Sequence, residues 1–269
     1  MMRRFFFWIR DTLLNLRFVQ GAILCWGVYM LGSLVWWNSR SILYVFGASV
    51  EFSSFTFLFP ACAVIPYALR YRENRRSGMD KMILQRCNVG QYLGEMLLKT
   101  AISGYLVMTI GSCIFLMSIP FFFPDAVLAY GVSDGIIWPY MEDLAQGESW
   151  YAYFGVYMML LGISGAFFSV MALAVSAWLD NLYAIFIVPI LFLYAADYAL
   201  LRFGRHSLST LMFGMYFFDS RKEVFTHSLL TFGGMGLICT ALFFVKGRRQ
   251  CCEIESAFKS AFDDIFHAN

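Results

Sequence analysis

Six apolar stretches, at 19–37, 52–69, 100–123, 151–178, 182–201 and 226–245, take up most of this chain and decide its solvent. A helix rises 1.5 Å per residue, so about 20 apolar residues cross the hydrocarbon of a bilayer. Four of the stretches meet that length cleanly. The second and fifth are shorter and contain Pro60, Pro66 and Pro189, yet neither has a charge in its first two thirds. With 60% hydrophobic and only 14% charged residues, a soluble domain of 269 residues would have no place to hide the apolar surface. A net charge of +2 gives no footprint for nucleic acid. No linker or low-complexity segment divides the chain. The expectation is one membrane domain over 1–269, all-α, with six transmembrane helices.

Basic residues set the orientation. With the N-terminal segment inside, fifteen of the twenty Lys and Arg fall on the inner side: in 1–18, in the segment 70–99 and in the tail 246–269. Five fall outside: Arg40, Arg202, Arg205, Arg221 and Lys222. The positive-inside bias therefore predicts that both termini are cytoplasmic. The first stretch is too long for a signal-peptide core, and Trp36-Trp37-Asn38 is no small-residue cleavage site. Those tryptophans suit an outer aromatic belt, as do Trp150, Tyr151 and Tyr153. The seven cysteines lie in spans or on the inner side, so no disulfide framework is implied. Cys251-Cys252, just inside the last span, reads as two reduced thiols or as an acylation site.

Four segments outside the spans have character of their own. Residues 3–18 place Phe5, Trp8, Ile9, Thr12 and Leu16 on one helical face and Arg3, Arg10 and Arg17 on another. That pattern predicts an interfacial helix, its arginines toward anionic headgroups. In 70–99, Glu73 is followed five residues later by Gly78, then by a short amphipathic helix with Met79, Met82 and Ile83. Asn88-Val89-Gly90 ends it, and a second helix with Tyr92 and Lys99 runs into the third span. The first of these helices is too short to be stable alone, and its apolar side chains call for a cover; the alternative is a solvated basic loop on the inner side. The outer loop 121–150 has five acids and no basic residue: an ordinary exterior loop, or one that concentrates a cationic solute. Within the outer segment 202–225, the apolar run 208–218 suits a re-entrant or interfacial helix.

Buried ionisable groups, the usual sign of coupled transport, are nearly absent. Asp197 is the sole candidate; near the outer end of the fifth span it is either solvated beside Arg202 or part of a pathway. Small residues Gly162, Gly165 and Ala166 on the fourth span and Gly233, Gly234 and Gly236 on the sixth predict close helix contacts. Enzyme signatures are missing: no G-x-x-x-x-G-K-[ST], no H-E-x-x-H and no G-x-S-x-G, while His206, His227 and His267 are scattered. Nothing here predicts catalysis, a cofactor or a metal in this chain.

Taken together, these features resemble the type-2 permease subunits of ATP-binding-cassette exporters, above all the small bacterial members. The resemblance rests on six spans with both ends inside, an interfacial connecting helix, the order Glu73, Gly78, Tyr92, Lys99, the short turn after Trp178 and the apolar run before the last span. The long outer loop after the third span departs from the family pattern. What the resemblance implies is a coupling helix around 74–85 that seats on a separate cytoplasmic P-loop ATPase, which would hold the ATP and Mg. Glu73, Arg75, Arg76, Gly78, Met79, Asp80, Lys81 and Met82 would form the contact region, with Glu73 as hinge or inner gate. Six spans make half a pathway, so a second permease copy or homologue is implied, in a bacterial plasma membrane. The cargo would be hydrophobic or amphipathic: an antimicrobial peptide, a drug or a lipid-like molecule. The alternatives are an ion-coupled carrier or channel and a membrane-embedded lipid-modifying enzyme.

Overall fold

The computed structural model describes residues 15–34, 41–51, 54–125, 150–202 and 221–267. These form nine α-helices: α1 Leu16–Ser33, α2 Ile42–Glu51, α3 Phe59–Val64, α4 Arg70–Ser77, α5 Met79–Leu84, α6 Val89–Phe122, α7 Trp150–Trp178, α8 Leu182–Arg202 and α9 Arg221–His267. A 3-10 turn, Ser54–Leu58, precedes α3, and no strand occurs among the described residues. The helical expectation therefore holds. Four helices are long and apolar enough to cross a bilayer, in Val89–Phe122, Tyr151–Trp178, Leu182–Leu200 and Glu223–Glu253. They mark a membrane-embedded protein. The expected interfacial helix 3–18 lies almost wholly outside the described residues, as do most of the outer loops 121–150 and 202–225 and all of the run 208–218.

The expected second span, 52–69, is not one helix. The chain instead runs through α2, the 3-10 turn, α3 and a series of turns at 65–69. Proline explains the breaks. Pro60 sits in the first turn of α3, where its missing N–H costs nothing, and so starts a helix. Pro66 lacks the donor that would carry the helix on, and α3 stops at Val64. The broken segment is nevertheless internal: Phe59, Cys62, Ala63 and Val64 are buried. Ser169 Oγ of α7 lies 2.6 Å from the Ala63 carbonyl, a bond that serves backbone near the end of α3.

Helix α7 is the central post, buried over most of its length and packed on α6. Small residues permit this. A Cβ placed on Gly104 of α6 would lie 2.6 Å from the Gly165 carbonyl and 1.8 Å from Ser169 Oγ. One on Gly165 would lie 2.4 Å from Met108 Cγ and 2.8 Å from the Gly104 carbonyl. In lipid, apolar burial does not draw helices together, and close backbone approach with its dispersion does. The expected role of Gly162 and Gly165 is met in this contact. Gly233 and Gly234 of α9 have open space around them, so their expected packing partner is absent among the described residues.

Above this contact an aromatic cluster joins five elements. Tyr29 of α1 stacks on Phe115 of α6 at 4.7 Å between ring centroids and on Phe46 of α2 at 5.6 Å. Phe59 of α3 meets the Tyr29 ring edge-on, and Phe46 does the same to Tyr157 and Phe154 of α7. The Tyr29 hydroxyl, fully buried, is 2.9 Å from Ser112 Oγ. Each such pair adds about 0.5–1.5 kcal/mol beyond burial.

Gly104→Ala is expected to lower stability by about 1–3 kcal/mol, because backbone and side chain of α7 both stand in the way. Gly233→Ala, with nothing within 4 Å, should stay within about 1 kcal/mol of the parent. Thermal unfolding of both variants in detergent checks this; equal losses would mean that α6 and α7 do not meet at Gly104.

Candidate functional site

One end of the bundle gathers the segments that the charge pattern assigned to the inner side, and α4 is their meeting point. Consecutive residues on a helix point about 100° apart. Four consecutive side chains can therefore reach four different neighbours, and 71–74 do so. The Tyr71 hydroxyl donates to Gln250 Oε1 of α9 at 2.9 Å, and Gln250 Nε2 donates to the Ala177 carbonyl of α7 at 2.9 Å. Arg72 Nε donates to the Asp180 carbonyl at 3.1 Å and to its carboxylate at 3.2 Å, in the turn between α7 and α8. The Glu73 carboxylate accepts two bonds from Arg17 at the start of α1, at 2.7 and 2.8 Å. Asn74 Nδ2 donates to the Tyr92 hydroxyl of α6 at 3.3 Å. Arg76, one turn after Arg72, reaches Asp180 as well, at 3.2 Å to the carbonyl and 3.3 Å to each carboxylate oxygen.

Beneath α4 lies a second apolar cluster that includes Tyr67, Tyr71, Tyr92, Leu93, Phe243 and Cys251. It seats α4 against α6 and α9. Cys251 is buried there, which leaves Cys252 as the exposed thiol of the pair.

Past Ser77 the chain turns at Gly78, whose φ of +70° is left-handed and favours glycine. Its N–H bonds back to the Arg75 carbonyl at 3.1 Å, closing α4, and α5 begins at once. The elbow turns α5 so that its two faces differ sharply. Met79 is 45% and Met82 59% exposed, flanked by exposed Lys81, Arg76 and Arg86. Asp80 is 2% exposed and accepts a bond from the Tyr92 hydroxyl. Asn88 occupies the N-cap position of α6, which then runs without a break through Tyr92 and Lys99. The Lys99 ammonium lies 5.9 Å from the centre of the Tyr67 ring.

Two acids at this end titrate in opposite senses. Burial pushes the Asp80 carboxyl above its ordinary 3.8, against the Tyr92 hydrogen bond and the nearby Arg75 charge. The Arg76 hydrogen bond, with the charges of Arg76 and Arg72, holds Asp180 below 3.8.

The expected contact residues thus share one elbow, with three corrections. Asp80 does not face outward as expected: it is buried and accepts from the Tyr92 hydroxyl of α6, which itself accepts from Asn74 of α4. Arg76 is engaged with Asp180, and half-buried Arg75 faces Asp80 and Tyr71. The bend is carried by Gly78, while Glu73 holds Arg17, which therefore does not point to lipid headgroups. Asp197 stands apart, about 25 Å along α8 from Asp180 at 1.5 Å per residue. It is 8% exposed, so it has little contact with water. Sequence reading missed Tyr71, Arg72, Asn74, Asp180 and Gln250. The one available signal was the run of polar residues directly after an apolar stretch, with Arg72 and Arg76 four apart.

No group of His, Cys, Asp and Glu able to hold a metal occurs among the described residues. An open groove of about 330 Å³ lies between α6, α7 and α9, walled by Tyr105, Ala166, Phe167, Phe232, Gly233 and Gly236 among others. Its surface is almost wholly apolar, and it offers no group for chemistry. Comparison with family models, with curated proteins and with solved structures returns no match.

The sign of the Asp80 effect follows from its raised pKa. The folded state binds that proton more tightly than the unfolded one, so the stability this group contributes is full below 3.8 and is lost as pH rises through the raised value. The Asp180 contribution is the reverse: present above 3.8 and lost as pH falls through its lowered value. Asp80→Asn keeps an acceptor for Tyr92 and cannot ionise. Hydrogen exchange over 70–92, corrected for intrinsic rates, should lose its upward trend with pH above 3.8 in that variant. Asp80→Leu should instead cost about 1–3 kcal/mol by stranding the Tyr92 hydroxyl.

Proposed function

We propose that this chain is the transmembrane subunit of an ATP-driven exporter in a bacterial plasma membrane. It has no catalytic step of its own. A cytoplasmic P-loop ATPase binds the α4–Gly78–α5 elbow, and a second permease copy or homologue completes the pathway. Six crossings, with the broken segment 42–69 as the second, put both chain ends and the elbow on the cytoplasmic side. The cargo is hydrophobic or amphipathic, suited to spans rich in aromatic side chains.

The observation that carries this reading is the elbow itself. A six-residue helix cannot hold its shape alone. This one is clamped by Gly78, Asp80, Tyr92 and Asn74, and yet it presents two bare methionines among cations. Methionine is flexible and polarizable, suited to an adaptable contact. The surrounding Lys81 and Arg86 match an acid-rimmed apolar groove, which steers such a partner into place. Helix α5 is joined through Gly78 to α4, whose ties to α1, α6, α9 and the α7–α8 turn pass a push on the elbow to the bundle.

Met79→Asp with Met82→Asp should abolish co-purification of a stoichiometric P-loop ATPase from native membranes. Exchange protection in α6 and α7 should stay unchanged. Isolation of the unaltered chain as a lone stable oligomer, without any ATPase, refutes the proposed function.

A further inference from the structure

The helices differ in how firmly they are held. Helices α6 and α7 lock together at Gly104 and Gly165, where neither backbone has room to slide. Helix α8 is held along a narrow face by Ile185, Pro189, Leu193 and Asp197. The opposite face, Tyr183, Ile187, Leu191, Tyr194 and Tyr198, forms an exposed stripe at three- and four-residue spacing. Interiors packed as closely as α6–α7 transmit force without deforming. A helix gripped on one side can shift against that pair at lower cost.

At its inner end α8 is reached through Asp180. This residue accepts from two arginines of α4 at once, with both its carboxylate and its carbonyl. Arg72 is mostly buried, with 12% of its side chain exposed, and so is fixed to α4; Arg76 and Asp180 are open to water. A surface ion pair is worth little in free energy. Its value here is geometric: two forks on one residue leave the turn no independent position while α4 moves.

We propose that Asp180 is a positioning residue that carries motion of the α4–α5 elbow to α8. The proposal rests on the ATP-driven reading above. When the ATPase displaces α5, α4 moves as one body with it, and the Arg72–Asp180–Arg76 clasp draws the α7–α8 turn along. Helix α8 then shifts its aromatic stripe relative to the fixed α6–α7 pair. The other polar ties of α4, to α1, α6 and α9, serve to hold the elbow; among the described residues the clasp is the polar link from α4 toward the loosely held span, beside the apolar packing of Ala68 and Leu69 with Ile185 and Phe186.

The test uses the full chain, co-purified with its ATPase in lipid nanodiscs, and hydrogen exchange measured with and without ATP, magnesium and vanadate. The unaltered complex should respond to nucleotide in two segments, 70–84 and 182–202. Asp180→Asn should keep the response in 70–84 and lower that in 182–202 at least about twofold, the scale of one exposed ion pair. Reversing the charges, with Asp180→Arg, Arg72→Glu and Arg76→Glu together, should restore part of it, the side-chain pairs but not the bonds to the residue 180 carbonyl; a residue needed merely for folding would show no such recovery. If Asp180→Asn disturbs α6 and α7 as well, Arg76→Gln at the surface takes its place, with a smaller loss in the same segment. A nucleotide response in 182–202 that is undiminished in the Asn or Gln variant overturns the proposal. A parent complex with no ATPase and no response in either segment removes the ATP-driven reading, and the coupling role with it; the parent alone tells these two failures apart.

Discussion

In a bilayer, water does not drive helices together, so a membrane protein must hold itself by close contact and by polar pairs. Here the close contact is Gly104 against Gly165, and its consequences extend outward. With α6 and α7 pressed backbone to backbone, Ser169 is brought to the Ala63 carbonyl and steadies the broken helix α3. That in turn places Phe59 edge-on to Tyr29, around which the aromatic cluster of α1, α2, α6 and α7 closes. The inner ends of α6 and α7 then stand close enough for α4 to bind both, through Tyr92 on one side and Ala177 by way of Gln250 on the other.

Helix α4 works differently from the spans it joins. Its eight residues, Arg70–Ser77, include one buried tyrosine and are otherwise polar or charged. It has little apolar area to bury, and alone it would not fold. It persists because four successive side chains, Tyr71, Arg72, Glu73 and Asn74, each have a separate polar partner, and Arg76 adds a second tie to Asp180. The same arrangement makes it sensitive. Asp80 favours its protonated form through burial, and Asp180 its charged form through two arginines, so the two acids of one small region pull in opposite directions as pH changes.

The elbow was the most legible part of the site. Glycine five residues after Glu73, a short amphipathic run, and an Asn-Val-Gly break correspond to α4, Gly78, α5 and the start of α6. Local signals of this kind depend on backbone preferences that travel with the sequence. Asp80 was misplaced for an equally local reason. On a helix of six residues, period alone does not say which side meets the protein, and a carboxylate is expected in water until a buried tyrosine hydroxyl is brought to it. Pro60 and Pro66 were visible, but 52–69 was read as one span; that the prolines would break it into a 3-10 turn, α3 and turns was not.

The amino-acid order by itself determined the solvent, the helical class, the inner location expected for the basic segments, and the short helix that follows Gly78. These follow from hydropathy over about 20 residues and from single-residue backbone preferences, neither of which needs a partner. Tertiary structure alone decided that Asp180 meets Arg72 and Arg76, that Gln250 bridges Tyr71 and Ala177, and that Gly104 rather than Gly233 has no room for a methyl. Those pairs lie up to 179 positions apart in the chain. They come from the way helices cross, and hydropathy carries no record of which face of one helix turns toward which face of another.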